Sequence, residues 1–178
     1  MSLKEQVHEA ERAVVNALKN VDERATDSDV LATLKKEHNE VKKLLTELQG
    51  AGTAAERTGL VRQIRAALVP HSVAEEKVVY TAVIAFSDQQ SKVDGYEGTL
   101  EHKWAAKTLE RLGELGDATS AEHKATAKVL KELVEHHIAE EERNIWRDVR
   151  KHCSSEERQR LNTMYLAEKH RARVASAD

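Results

Sequence analysis

The chain has 178 residues, of which 33% are charged and only 3% are aromatic, with seven glycines and one proline. This composition of good helix formers and few breakers predicts an all-α protein with a single main domain. The net charge of −3 gives no reason to expect nucleic acid or an acidic membrane as a partner. The single cysteine, Cys153, excludes an intramolecular disulfide and a cysteine-based zinc site, and it fits a reducing compartment.

The first fifteen residues, MSLKEQVHEAERAVV, are charged throughout and lack the apolar stretch that a signal peptide requires. Nowhere does the chain approach the roughly 20 consecutive apolar residues of a membrane span. We therefore expect a cytoplasmic protein that has no membrane partner.

Helix starts are marked by the capping-box pattern, in which a serine or threonine is followed three residues later by a glutamate. This pattern occurs at Ser2/Glu5, Thr53/Glu56, Thr119/Glu122 and Ser154/Glu157. Glycine-containing stretches at residues 49–53, 87–98 and 112–120 are typical of turns. Together these signals predict helices over residues 3–21, 29–49, 54–86, 96–115, 120–152 and 155–174.

The four middle helices are joined by short connections, which favour antiparallel neighbours. They are therefore expected to form an up-down-up-down four-helix bundle over residues 29–152. Residues 1–28 would supply an additional helix and a linker, and residues 153–178 a further helix. These terminal helices have apolar positions of their own, so they either cover the bundle or form a homodimer interface.

Each bundle helix has an apolar stripe that ionisable residues interrupt. The first and third helices have a histidine at a stripe position, and the second and fourth have a histidine followed four residues later by a glutamate. In chain order these residues are His38, His71 and Glu75, His102, and His137 and Glu141. Residues four apart share a helix face, so each His–Glu pair projects into the core with side chains about 5–6 Å apart.

The segment VEHHIAEEER offers a second pair at the same spacing, His136 and Glu140. His136 has charged residues one turn away on both sides, whereas His137 lies among leucine, valine and isoleucine. The apolar stripe therefore selects His137 and Glu141, and we expect His136 and Glu140 to face solvent.

Two carboxylates in an apolar core must be paired or bound to metal, because an unpaired buried charge costs several kcal/mol. No lysine or arginine lies at a nearby level of the stripes. Imidazole and carboxylate groups are together typical metal ligands, and two equivalent His–Glu pairs suit two bridged ions better than one. A hydrogen-bonded polar core without metal is the alternative.

The order H-HxxxE-H-HxxxE resembles that of hemerythrin-like proteins of the HHE cation-binding branch. The resemblance covers about residues 29–150 and is carried by LKKEHNEVKKLL, LVPHSVAEEKVVY, LEHKWAAKTLERL and LVEHHIAEEERNIW. Both His–Glu segments continue with a second glutamate and then an aromatic residue, Tyr80 or Trp146. The resemblance implies a non-haem di-iron centre with the four histidines as ligands and with Glu75 and Glu141 bridging the ions. Zinc and manganese are also compatible with these ligand types.

The sequence departs from hemerythrins proper, whose third helix supplies a second histidine four residues from the first. Here Ala106 follows His102 by four residues and Gly98 precedes it by four. Fewer protein ligands leave more open metal positions, which favours reaction over simple reversible oxygenation.

Other residues near the motif are additional candidates for a ligand or for contact with one. Hemerythrins proper place the last carboxylate one residue further on, so Glu142 is an alternative to Glu141. The other candidates are Glu76, Glu101 and Tyr96. Pro70 is expected to kink or loosen its helix beside the ligands. The isolated histidines His123, His152 and His170 are expected on surfaces.

Three classes of function follow from the resemblance. As an enzyme, the chain would consume hydrogen peroxide or nitric oxide in a catalase- or peroxidase-like reaction. As a binding module, it would reversibly hold dioxygen or nitric oxide. As an iron-handling protein, it would store or sense iron. The missing third-helix histidine favours the reactive role in oxidative or nitrosative stress, with gas or iron binding as the alternative.

Overall fold

The computed structural model describes residues 29–86 and 88–175, and all regular secondary structure in these ranges is helical. The α-helices are α1 (Val30–Gly50), α2 (Ala54–Ala74), α3 (Thr81–Ala85), α4 (Gln89–Glu114), α5 (Ala121–Arg143), α6 (Ile145–His152) and α7 (Ser155–Ala175). A π-helical segment, Glu75–Tyr80, lies between α2 and α3. The predicted all-α class is confirmed. The predicted first helix, over residues 3–21, lies outside the described residues, as does the pattern at Ser2.

The four long helices α1, α2, α4 and α5 pack as a closed ring, in which α1 and α4 each contact both α2 and α5. The C-terminal helix α7 packs across α1, α2 and the π-helical segment. The chain is therefore an all-α helical bundle with one helix laid against its side. Within the described ranges, no helix is both long and apolar enough to cross a membrane.

Two apolar clusters fill the interior of the bundle, and the predicted site residues lie between them. On α1, Leu34 belongs to one cluster and Val41 to the other, with His38 between them. All the predicted stripe positions of α1 are buried. The clusters supply the hydrophobic stabilisation that allows a polar layer to be kept away from water.

The capping boxes predicted at Thr53 and Ser154 are confirmed. In each, the hydroxyl accepts from the backbone N–H of the glutamate three residues later, whose carboxylate accepts from the N–H of the cap. The box predicted at Thr119 is wrong by one residue, because Ser120 caps α5 by accepting from the N–H of His123 at 3.1 Å.

The prediction that the third bundle helix begins at residue 96 is wrong, since α4 begins at Gln89. The Asp88 carboxylate accepts from the backbone N–H of Gln90 at 2.8 Å and so caps the earlier start. Gly95 therefore lies inside the helix rather than in a turn. A Cβ atom there would lie 2.7 Å from Cγ1 of Ile84, so this glycine permits a close helix–helix approach.

The helices predicted over residues 54–86 and 120–152 are each interrupted. The first changes to π-helix from Glu75 to Tyr80, and the second breaks at Asn144. The loosening expected at Pro70 does not interrupt the helix there, because α2 continues past it to Ala74. Proline removes only one backbone N–H, and the change in helix type begins five residues later.

Candidate metal centre

The structure brings all six predicted site residues together in one buried layer. They come from α1, α2, the π-helical segment, α4 and α5, and none is more than 5% exposed. The six are His38, His71, Glu75, His102, His137 and Glu141. A set of ionisable side chains buried this completely must be satisfied within the layer.

Glu75 lies at the middle of the layer. Its Oε2 atom is 2.9 Å from Nε2 of His71 and 3.4 Å from Nε2 of His102, and its Oε1 atom is 3.9 Å from Nε2 of His38. Two compact groups, each able to hold an ion, share this carboxylate: one with His38 and His71, the other with His102 and His137. Glu75 is therefore placed to bridge two ions.

Glu141 also reaches one histidine of each group. Its Oε2 atom is 3.3 Å from Nε2 of His38 and 3.8 Å from Nε2 of His137. The neighbouring Glu142 points elsewhere, with its Oε1 atom 3.0 Å from Nδ1 of His38 and its Oε2 atom accepting from Lys35. Of these two glutamates, Glu141 is the one that faces the centre.

Each of the four histidines has a glutamate against its Nδ1 atom, at 2.8–3.1 Å. The pairs are His38 with Glu142, His71 with Glu37, His102 with Glu76, and His137 with Glu101. A carboxylate only accepts, so in each neutral ring Nδ1 carries the hydrogen and the lone pair of Nε2 faces the centre. This is the arrangement in which histidine binds a metal ion.

The four pairs obey an approximate two-fold symmetry that is visible in the sequence. In the layer, a glutamate directly precedes His38 and His102, and the His71/Glu75 and His137/Glu141 motifs are each followed by a second glutamate. The glutamates before His38 and His102 contact the histidines of the two HxxxE motifs: Glu37 contacts His71, and Glu101 contacts His137. The second glutamates of the motifs contact the other two histidines: Glu76 contacts His102, and Glu142 contacts His38. Sequence reasoning named Glu76, Glu101 and Glu142 as candidates but missed Glu37.

The inner atoms of the layer lack the partners that a metal-free core would need. Both oxygens of Glu75, both oxygens of Glu141 and Nε2 of His38 are buried without a hydrogen-bond partner among the described residues. Leaving such groups unsatisfied costs about 1–3 kcal/mol each, and more when they are charged. Imidazole nitrogen and carboxylate oxygen suit iron, zinc or manganese, so the residues fit a pair of metal ions.

The pKa values of residues in the layer also favour the binding of cations. Burial alone would raise the pKa of Glu75, but the charge of His71 and the nearby imidazole of His102 hold it well below its usual range. Burial alone would lower the pKa of His71, but the Glu75 charge and the Glu37 hydrogen bond raise it to about 10. The carboxylates therefore attract positive charge strongly, which metal cations supply.

Tyr80 adds a hydroxyl to the inner face of the layer, and sequence reasoning identified it only as the aromatic residue of the motif. Its oxygen is 3.5 Å from Nε2 of His102 and 3.4 Å from Nε2 of His137, and its ring stacks on His102. Burial, followed by the charge of Glu141, raises the pKa of this phenol well above its usual value, so the proton stays on it.

The backbone and a glycine together make room for this tyrosine. The wider π-helical turn keeps residues 75 and 80 on the same side of the helix, because its hydrogen bonds join residues five apart. A Cβ atom on Gly98 would lie 2.9 Å from the ring of Tyr80. Gly98 lies on α4 four residues before His102, one of the two positions at which a second histidine is lacking. The ring of Tyr80, from the π-helical segment, fills the space beside it.

Trp146 is the symmetry counterpart of Tyr80, five residues after Glu141. Its ring stacks on His38 with centroids 5.6 Å apart and 14° between planes. It follows the helix break at Asn144, as Tyr80 ends the π-helical segment. Each motif therefore places an aromatic ring against a ligand histidine of another helix.

The helix α7 breaks this symmetry on the His71 side. The Tyr165 hydroxyl donates to Glu37 at 2.6 Å and lies 2.9 Å from Nδ1 of His71, and Lys169 forms an ion pair with Glu37. Burial would raise the pKa of Glu37, but the hydrogen bonds of His71 and Lys169 lower it to about 2. The C-terminal helix thus contacts the site through Glu37.

The remaining histidines are divided between surface and interior. His136 is exposed as expected, whereas Glu140 is half-buried. His152 and His170 lie at the surface, as expected. The prediction for His123 is wrong, because it is buried beside the guanidinium of Arg57 at the far end of the bundle. The candidate Tyr96 is 59% exposed and takes no part in the layer.

The fold and the buried layer define a helical bundle built to bind cations. The hemerythrin HHE cation-binding domain matches residues 29–147, and the chain belongs to that family. A protein named DNA nickase from Nostoc sp. (strain PCC 7120 / SAG 25.82 / UTEX 2576) is 27% identical over 143 residues. The match covers 80% of this chain but only 40% of that relative. No solved structure matches the chain significantly.

Proposed function

We propose that the chain is a non-haem di-iron protein that reacts with hydrogen peroxide, dioxygen or nitric oxide under oxidative or nitrosative stress. The observation that carries the proposal is the pair of carboxylates, Glu75 and Glu141, whose buried oxygens lie between two pairs of imidazole Nε2 atoms without hydrogen-bond partners. Two cations bridged by these carboxylates would satisfy every one of these atoms.

The roles of the residues follow from their positions. His38 and His71 would hold one ion, His102 and His137 the other, and the two glutamates would bridge them. Bound iron supplies a Lewis acid and reversible electron transfer to small oxygen- or nitrogen-containing molecules. The four outer glutamates keep the imidazole rings oriented, and the apolar clusters on both sides of the layer exclude water.

Tyr80 holds a proton where a small molecule bound at the centre would receive it. Its hydroxyl faces His102 and His137, and its raised pKa keeps the oxygen protonated. A hydroxyl so placed can donate a hydrogen bond to a reacting oxygen atom. This residue favours the reactive role over simple storage.

The proposal also covers the order of the helices, the domain limits, the oligomer and the cellular location. The ring of α1, α2, α4 and α5 would have the up-down-up-down order of a hemerythrin-like bundle, with an additional helix at each terminus. The domain would span residues 29–152, and the terminal helices are the proposed homodimer interface. The proposed location is cytoplasmic.

Reconstitution with iron tests the function directly. Purified protein is loaded anaerobically, exposed to air and then to hydrogen peroxide, while its visible spectrum and the peroxide concentration are followed. The proposal predicts two iron ions per chain and rapid peroxide loss. A stable adduct with dioxygen or nitric oxide, without peroxide loss, would instead support the carrier. Slow iron release on reduction would support iron storage or sensing.

Adjacent histidines give a matched pair of variants for this experiment. His137→Ala should lose one of the two iron ions and peroxide consumption, while His136→Ala, which removes an exposed ring one residue away, should keep two ions and the full rate. Circular dichroism of both variants checks that the helices are kept. Equal iron content in the two variants would contradict the assignment of His137.

The nicking activity named for the Nostoc relative is a weaker candidate for this chain. The match covers only 40% of that protein, and a net charge of −3 offers little attraction for DNA phosphates. Incubation of iron- or manganese-loaded protein with supercoiled plasmid tests it. We expect no conversion to open circles, and metal-dependent conversion lost in His137→Ala would favour the nickase instead.

A further inference from the structure

A small cavity between α4 and α5 is lined both by surface residues and by residues of the centre. Its volume is about 10 Å³, close to the space of one water molecule. Carboxylates dominate its wall: Asp94, Glu97, Glu101, Glu140 and Glu141 all line it, together with His137. The cavity therefore leads from acidic surface residues to one ligand histidine and one bridging carboxylate.

The carboxylates are graded in depth along this cavity. Glu97 is exposed, Glu101 and Glu140 are half-buried, and Asp94 and Glu141 are buried. The nearby arginines are largely exposed: Arg143, which pairs with Glu140, is 63% exposed, and Arg147, near Asp94, is 57% exposed. A cation moving inward would thus meet a carboxylate at each level.

Asp94 is the most informative of these residues. Its Oδ1 atom accepts from the side chain of Gln90 at 2.7 Å, but its Oδ2 atom is buried without a hydrogen-bond partner among the described residues. The guanidinium of Arg147 comes no closer than 4.0 Å to that oxygen and is itself 57% exposed. A buried carboxylate oxygen without a partner is costly unless a cation visits it.

The two-fold symmetry of the site shows that this acidic wall is not a general property of the bundle. Asp94 and Glu97 precede His102 by eight and five residues, and the residues at the same distances before His38 are Val30 and Thr33. Val30 is fully buried in the apolar cluster to which Tyr165 of α7 also belongs. Among the described residues, Asp94 and Glu97 therefore have no acidic counterparts at the equivalent positions before His38.

We propose that this cavity is the route by which a divalent cation such as Fe²⁺ enters and leaves the centre, with Asp94 and Glu97 as its transient ligands. The carboxylates replace part of the hydration shell of the ion and raise its local concentration at the mouth. Neutral molecules such as hydrogen peroxide and dioxygen gain no comparable attraction. This inference rests on the proposed metal-binding function and adds the path by which the metal ion reaches the centre.

Metal uptake kinetics test the route separately from the centre. Apo protein is mixed anaerobically with Fe²⁺ or Co²⁺ in a stopped-flow instrument, and the rate and final stoichiometry are recorded for the wild type and for D94N/E97Q. A control, E110Q/E132Q, removes the same charge from exposed positions of α4 and α5 outside the cavity wall. We expect uptake to be at least about tenfold slower in D94N/E97Q than in this control, with two ions still bound at equilibrium.

Substitution of the buried Asp94 could disturb folding, so the single variant Glu97→Gln, at an exposed position, tests the route without that complication. Its uptake should be slower by about threefold, and its dependence on ionic strength should be weaker than that of the wild type. Uptake rates equal to those of the control in both variants, with two ions bound, would overturn the route and leave the proposed function intact. Failure of the wild type itself to bind two ions would overturn both.

Discussion

Four glutamates fix the tautomers of the four histidines of the buried layer, and the direction of each Nε2 lone pair in the neutral rings follows from them. The apolar stripe and the spacing of four were enough to predict all six residues of the inner layer, because each lies on a helix face that the sequence defines locally. The outer pairs could not be predicted in the same way. Glu37, for example, holds a histidine on another helix, so its role depends on how the two helices pack.

The hydroxyl of Tyr80 should matter for reaction and not for metal binding. Tyr80→Phe keeps the ring that stacks on His102 and removes only the oxygen near His102 and His137. We expect two ions per chain as in the wild type and peroxide consumption slowed by at least about tenfold, since losing one hydrogen-bond donor to a reacting oxygen typically costs more than that. Metal analysis and peroxide assays measure both quantities. An unchanged rate would show that this hydroxyl is structural only.

Gly98 should tolerate no larger side chain, because a Cβ atom there would lie 2.9 Å from the ring of Tyr80. Gly98→Ala is expected to lower the free energy of unfolding by about 1–3 kcal/mol, the usual cost of overpacking. Gly59→Ala is the control, since nothing lies within 4 Å of its added Cβ, and it should be neutral or stabilising. Denaturant unfolding of the two variants compares them, and equal stabilities would contradict the close contact.

At the scale of elements, the π-helical segment and the break at Asn144 were the least predictable features. The π-helical segment runs from Glu75 to Tyr80, and the break at Asn144 lies between Glu141 and Trp146, so each lies between a glutamate that faces the centre and an aromatic residue that stacks on a histidine. Hydrophobic periodicity assumes a constant helical repeat, so it does not reveal one wider turn. Gly95 misled the prediction for a different reason, because a glycine that permits close packing is indistinguishable in sequence from one in a turn.

The C-terminal helix should influence one metal position more than the other, because its polar contacts with the site are to Glu37 and His71. Lys169→Met removes the cation beside Glu37 and leaves a largely buried carboxylate less well compensated. We expect a loss of about 1–3 kcal/mol in unfolding free energy and weaker binding of one of the two ions. Thermal unfolding and a metal titration measure these effects.

Lys77→Met is the matched control for that experiment. It removes an exposed ion pair, with Glu168, between the π-helical segment and the same helix α7. Exposed pairs contribute at most about 1 kcal/mol, so both metal positions should keep their affinities. If the two variants behaved alike, α7 would be a cover for the bundle without influence on the centre.

At the scale of the whole molecule, two apolar clusters enclose a layer that attracts cations, so metal and stability should be coupled. Metal present at about 100 times its dissociation constant stabilises a fold by about 2.7 kcal/mol, which for a chain of this size raises Tm by roughly 5–10 °C. Calorimetry with and without a chelator measures the shift. The shift should be smaller in His137→Ala, which keeps the position held by His38 and His71, and an identical shift in that variant would indicate metal binding elsewhere.

The wider organisation is less fully determined by sequence than the centre is. The order of the helices followed from caps and short connections, and the family match over residues 29–147 agrees with where the motif residues lie. The division at residues 28 and 152 stays a prediction, as does a homodimer formed through the terminal helices. Packing of α7 against the bundle required the three-dimensional structure, because its apolar positions suit either a cover or an interface.

The central claim is that six buried side chains hold two ions bridged by Glu75 and Glu141. An anaerobic titration of apo protein with Fe²⁺, followed by absorbance and by metal analysis after desalting, tests it most directly. The structure predicts saturation at two ions per chain in the wild type and loss of the second equivalent in His102→Ala. Saturation at one ion, or a His102→Ala variant that still holds two, would contradict the dinuclear centre.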